Sequence, residues 1–211
     1  MRPRSLWRDS HAAAGALLGL ALMMTLALGS AARADDSPAA GPRPWSLFSP
    51  QELSLRFAYG IGDKDLDFFT FGPRVAYDLP DFIPAIFGNR VRIGIETNGS
   101  IIRGKDRGTE GEFAFSPFIF DYRYDSGGMF VPFIEGGEGI VVTTLRNLRI
   151  GGPFEFSSQA GAGFHLFFAD EDAVTFSFRM RHISNAGIKD ENSGLNTYFF
   201  AIGLSTFPGR H

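Results

Sequence analysis

Apolar and polar or small residues trade places one by one along most of this chain. That period of two belongs to strands and not to helices. Leu53, Leu55, Phe57, Tyr59 and Ile61 alternate with Ser54, Arg56, Ala58 and Gly60. Phe69, Phe71, Pro73, Val75 and Tyr77 alternate with Thr70, Gly72, Arg74, Ala76 and Asp78. Val91, Ile93 and Ile95 alternate with Arg92, Gly94 and Glu96. Phe113, Phe115, Pro117 and Ile119 alternate with Glu112, Ala114 and Ser116, and a slip near Phe118 predicts a bulge. Phe130 to Thr144 is strand-like without a clear parity. A sixth run opens at Phe154 and Phe156 and continues to Phe164, Leu166 and Phe168. Val174, Phe176, Phe178 and Met180 alternate with Thr175, Ser177, Arg179 and Arg181, and Tyr198, Phe200, Ile202 and Leu204 with Phe199, Ala201, Gly203 and Ser205. The reading is all-β, with eight strands.

Eight alternating strands build either a soluble sandwich or lipocalin-like barrel, or an antiparallel transmembrane barrel whose apolar face meets lipid. The opposite faces favour the second. They carry Arg56, Arg74, Arg92, Glu96, Glu112, Arg179 and Arg181 among Gly, Ala, Ser and Thr. Small residues with paired Arg and Glu suit the narrow interior of a small barrel. Of the chain's 23 Phe, twelve take the lipid-facing parity and supply an outer wall: Phe57, Phe69, Phe71, Phe113, Phe115, Phe154, Phe156, Phe164, Phe168, Phe176, Phe178 and Phe200. No apolar run after the N-terminal region approaches the length of a membrane helix.

The N-terminus reads as an export signal. Arg2, Arg4 and Arg8 precede an uncharged, mostly apolar stretch from Ala12 to Leu28, and Ala32-Arg33-Ala34 offers small residues at a cleavage site. The expected organisation is a signal peptide (1–34), a leader (35–50), a single barrel (51–207) and a short tail (208–211). The expected location is the outer membrane of a Gram-negative-type cell. The absence of cysteine excludes disulfides, thiolate metal sites and a cysteine nucleophile. A net charge of −3 argues against a nucleic-acid partner.

With the N-terminus in the periplasm, external loops fall near residues 62–67, 103–111, 145–153 and 185–195. Arg103, Lys105, Arg107, Arg146 and Arg149 make the second and third of these cationic. Such loops would meet lipopolysaccharide phosphates, although plain loop solubility explains them as well.

Of the four histidines, His11 leaves with the signal and His211 ends the chain. His165 lies opposite the Phe164 and Leu166 face and is expected inside the barrel. His182 and Ser184 share the lipid-facing parity of the seventh strand, about 6–7 Å apart between Cα atoms. An imidazole within reach of a hydroxyl can activate a serine nucleophile. Both lie at the external end of that strand. Asn196, at the start of the eighth, has the same parity as Tyr198 and Phe200. The alternative is an interfacial His and Ser that anchor the strand among headgroups.

The stretch Arg181-His182-Ile183-Ser184-Asn185-Ala186-Gly187-Ile188, followed by Asn192-Ser193-Gly194-Leu195-Asn196, resembles the lipid A 3-O-deacylase (PagL) family, and Glu135-Gly136-Gly137 is similar too. The resemblance implies an outer-membrane esterase that removes the 3-position acyl chain of lipid A without metal or cofactor. It implies His182 as general base, Ser184 as nucleophile, and Asn185 with Gly187 as oxyanion donors. The family pattern has Glu where this chain has Asn196. An amide orients an imidazole but lends it no charge. Asn196 is therefore expected as orienter, with Asp190 or Glu191 as substitute acids. The rival class is a non-catalytic barrel that binds lipopolysaccharide or stabilises the membrane. A homodimer is left open.

Overall fold

The computed structural model describes residues 50–79, 91–105, 108–145 and 148–210. The expected signal peptide, nearly all of the leader, and most of the turn after the second strand lie outside these residues. The strands are β1 (Glu52–Gly62), β2 (Leu66–Asp78), β3 (Val91–Gly104), β4 (Glu110–Arg123), β5 (Phe130–Thr143), β6 (Phe154–Phe167), β7 (Asp172–Ser184) and β8 (Leu195–Thr206). Each pairs antiparallel with the next, and β8 returns to β1 to close the barrel. Closure leaves no sheet edge, the condition for spanning a bilayer with strands.

Alternation sets the two faces. Phe57 (56% exposed), Phe113 (55%) and Phe200 (56%) point outward, with Phe69, Phe71, Phe154, Phe156 and Phe178 around them. In water such a wall would be an aggregation surface; facing hydrocarbon it is the expected band. The bulge expected near Phe118 is present, as a register shift between Phe115 and Phe118. It corrects one assignment. After the shift Phe118 and Phe120 face outward and Ile119 is fully buried, so Ile119 does not belong to the outer wall. The strand without a readable parity, β5, alternates after all. Val131, Phe133 and Glu135 turn inward, and Gly136, Gly137 and Gly139 blur the pattern that follows.

The interior has three layers. In the middle, Arg56, Arg74, Arg92 and Arg179 interleave with Glu52, Glu96, Asp121 and Glu135. Arg74 lies 2.8 Å from Glu135 and also pairs with Asp121. Arg92 lies 2.9 Å from Glu52, and Arg179 lies 2.7 Å from Glu135. Each buried charge is costly unless paired, and here each faces more than one opposite charge. Two apolar plugs cap this layer. Beneath the loops that follow β5 and β7 sit Leu66, Phe68, Ile102, Leu148, Ile183, Leu195 and Phe199. At the opposite end sit Val131, Phe167, Ala173 and Phe207.

His165 is buried in the interior, as expected, bonded through Nδ1 to Thr175 Oγ1 at 2.8 Å and stacked on Phe133. The tail folds back over the second plug. Arg210 Nε donates to Asp125 Oδ2 at 2.9 Å. Burial alone would raise the Asp125 carboxyl, but its hydrogen bonds from Arg210 and the Gly127 N–H outweigh this and hold it below the usual value.

Candidate active site

The end of β7 is locked in register by its inward residues. Arg181 pairs with Glu112 at 2.7 Å, and Ile183 is fully buried in the first plug. A slip of one residue would exchange the faces and expose Ile183. With the inward pair fixed, His182 and Ser184 project outward, both half-buried. Leu195 and Thr197 do the same for β8, so Asn196 also projects outward. His182 and Asn196 are direct cross-strand partners. The His182 Nδ1–H donates to Asn196 Oδ1 at 2.8 Å. Asn196 thus meets the ring at Nδ1. Ser184 shares the face without a hydrogen bond to the ring.

Asp63 belongs to this cluster and escaped the sequence reading. Asn196 Nδ2 donates to Asp63 Oδ2 at 3.0 Å, and the Asp63 N–H donates to the Asn196 carbonyl at 2.9 Å. The β1–β2 turn that carries Asp63 is held against the other loops by its neighbour. Lys64 Nζ donates to Gly194 O at 2.5 Å, Ser193 Oγ at 3.0 Å and Leu148 O at 3.1 Å. The signal that could have exposed Asp63 is closure itself, which sets the first turn beside the start of the last strand. Gly194 is the second omission. Its φ is +63°, and a Cβ there would stand 2.6 Å from His182 Cε1. Glycine leaves room for the ring.

On the other flank, His182 pairs across β6 with Ser158, and Ser158 pairs with Glu138 of β5. Ser158 Oγ donates to Glu138 Oε2 at 2.7 Å. Asp63, Asn196, His182, Ser158 and Glu138 therefore make one polar arc across a wall that is otherwise aromatic and aliphatic. Ser184 lies across from Phe156 at its edge.

The expected oxyanion donors are engaged within their own loop. Asn185 Nδ2 donates to Glu191 O at 2.8 Å, and the Gly187 N–H donates to Asn185 Oδ1 at 2.8 Å. Either would reach a substrate oxygen only by exchanging these partners. The side chain of Asn185 is buried, pinning the loop from below. Asp190 and Glu191 are exposed, and among the described residues neither carboxylate bonds to His182. The acid nearest the cluster through hydrogen bonds is Asp63.

Arg103 and Lys105 are exposed, and Arg103 lies 5.6 Å over the Phe69 ring. Arg149 lines a cavity of about 750 Å³ together with Phe113, Val142, Gly151 and Glu191. Arg107 and Arg146 lie outside the described residues. Glu135 of the Glu135-Gly136-Gly137 stretch is an interior ion-pair partner. Gly137 sits by the bulge, where a Cβ would stand 2.1 Å from Phe118 O. Among the described residues no group of three or more His, Asp or Glu is arranged to hold a metal.

The family model for lipid A 3-O-deacylase (PagL) matches residues 87–205. The chain belongs to the PagL family. A lipid A deacylase PagL of Bordetella bronchiseptica is 37% identical over 155 residues, covering 70% of this chain and 80% of that protein. The lipid A deacylase PagL of Pseudomonas aeruginosa is 34% identical over 100 residues, covering 45% of this chain and 54% of that protein. The match to the second thus spans about half its length. The crystal structure of the outer membrane enzyme PagL superposes with a TM-score of 0.51 at 22% identity, over 71% of this chain and 97% of that one. Neisserial surface protein A gives a TM-score of 0.55 at 10% identity, over 74% and 96%. Both likenesses show the fold, an outer-membrane barrel. A barrel of another name superposes as well as PagL does, so the fold alone assigns no activity.

Proposed function

We propose that this PagL-family barrel is a serine esterase that removes the 3-position acyl chain from lipid A in the outer leaflet. The observation that carries the reading is the His182–Asn196 hydrogen bond on the lipid-facing wall, with Ser184 on the same face of β7. Polar groups are expensive on such a wall and call for a purpose. The substrate's ester lies near the headgroup boundary. A site on the outer wall meets it without drawing the lipid into a pocket.

The chemistry follows from the groups present. With Nδ1–H held by Asn196, Nε2 carries the lone pair and takes the proton of Ser184 Oγ as that oxygen attacks the ester carbonyl. The tetrahedral intermediate collapses, His182 returns the proton to the departing sugar oxygen, and the acyl chain stays on Ser184. Water, deprotonated by His182, then releases the fatty acid and restores the serine. Asn185 and Gly187 stabilise the oxyanion after exchanging their loop partners. Arg103, Lys105 and Arg149 face the lipid A phosphates, with Arg107 and Arg146 contributing from the same loops. A second copy supplies nothing this chemistry needs. Removal of residues 1–34 as a signal peptide precedes assembly.

A fluorophosphonate probe tests the nucleophile. The folded protein is expected to be labelled at Ser184, and His182→Ala to abolish the label. Equal labelling of both proteins would return the barrel to the class of non-catalytic lipopolysaccharide binders.

A further inference from the structure

An amide beside a histidine is an ambiguous partner. Asn carries an acceptor oxygen and a donor NH₂ of nearly the same shape. If the oxygen meets the imidazole, Nδ1 must carry the proton and Nε2 is left bare. If the NH₂ meets it, Nδ1 must be bare and the proton moves to Nε2, where it blocks attack by Ser184. A glutamate at position 196 would have no such ambiguity, because a carboxylate only accepts. This chain has Asn196, and something else must decide.

We propose that Asp63 is the positioning residue that decides it. Its carboxylate, an acceptor with no proton to give, takes the hydrogen bond from Asn196 Nδ2 at 3.0 Å. That consumes the donor end of the amide and turns Oδ1 to His182, where it accepts from Nδ1 at 2.8 Å. The order of acceptor, amide and ring then sets the tautomer with Nε2 free. The acid that position 196 lacks is supplied one residue farther along the hydrogen-bond chain, from the turn after the first strand, which closure sets beside the last.

A purely structural role for Asp63 fits less well. The turn is already anchored by the Asp63 N–H to Asn196 O and by the three bonds of Lys64 Nζ. Neither uses the Asp63 side chain. The carboxylate is exposed at the rim, and Asn196 is the group it meets.

The inference rests on the esterase reading, but its first test does not require activity. Long-range proton–nitrogen spectra of the ¹⁵N-labelled full chain in detergent micelles report the tautomer of the neutral imidazole, with His182→Gln assigning the signals. The wild type is expected to show protonated Nδ1 and bare Nε2. Asp63→Asn is expected to shift the population toward protonated Nε2. Adding Asn196→Asp to that variant exchanges amide and carboxylate and should restore the first tautomer, because a carboxylate then faces the ring directly. Asp63→Ser serves as a second removal if Asp63→Asn does not fold, judged by heat-modifiable migration. An unchanged tautomer on loss of the Asp63 carboxylate would overturn the proposal.

Deacylation of lipid A provides the second arm. Asp63→Asn should lower kcat/KM about tenfold with KM little changed, since general-base efficiency depends on the correct protonation state, and the exchanged pair should regain it. If the tautomers behave as stated while wild type releases no fatty acid, the esterase reading fails and the role of Asp63 stands. If fatty acid is released and the tautomer does not move, the role of Asp63 fails alone.

Discussion

Two sets of polar residues mark this barrel, one in its interior and one on its apolar outer wall, and they are built in opposite ways. Inside, Arg74 faces Glu52, Glu96, Asp121 and Glu135, and Arg179 faces Glu96 and Glu135. Each charge of this middle layer has more than one partner, and two apolar plugs close it off. Outside, the groups stand in single file, Asp63 to Asn196 to His182. The file ends at an imidazole nitrogen and a serine hydroxyl that face the membrane. A mesh with shared partners holds the barrel together. A file with one free end is poised to act on something else. The mesh should therefore govern stability and the file reactivity, with little exchange between them.

The sharpest way to break this division is at the free end. Ser184→Ala should reduce lipid A deacylation by roughly 10⁴-fold or more while leaving heat-modifiable migration unchanged. Loss of the folded band would show that the outer file is structural. Glu135→Ala should do the reverse. It leaves Arg74 and Arg179 short of a partner and should destabilise the barrel by about 3–5 kcal/mol, read from the denaturant midpoint, with activity per folded molecule retained. Asn196→Ala removes the orienter but keeps nucleophile and base. Deacylation should fall about a hundredfold, with no change in that midpoint.

The smallest effect belongs to the tail. The Asp125 carboxyl is held below its usual value in the folded protein. Its link to Arg210 therefore adds stability above the ordinary carboxylate range and loses it as the pH falls through the lowered value. Asp125→Asn should cost less than about 1 kcal/mol at neutral pH, as for partly exposed pairs. The difference from wild type should vanish in acid.

The strands were legible because a period of two survives wherever Phe, Val or Ile marks one face. It failed on β5, where Gly136, Gly137 and Gly139 carry no side chain to mark either. The bulge was legible as a slip, but its consequence for Ile119 was not, since parity after a bulge depends on how many residues the bulge absorbs. The apolar plugs were also hidden. Phe199 has the inward parity, but its gathering with Phe68 into one plug, and that of Phe207 with Phe167 into the other, follows only once the barrel is closed. The same holds at the site. His182, Ser184 and Asn196 lie within 15 residues of one another and could be read by parity along two neighbouring strands. Asp63 is 133 residues from its partner Asn196, and only the β1–β8 pairing brings them together. The loop acids Asp190 and Glu191 were plausible by sequence distance, which is a poor guide in a closed sheet.

The most direct test of the account is the mass of lipid A from outer membranes that carry the protein. Wild type should yield lipid A lighter by the 3-position acyl chain, and Ser184→Ala should yield the full mass. Identical lipid A from the two would contradict the account and leave a barrel that binds the lipid without cutting it.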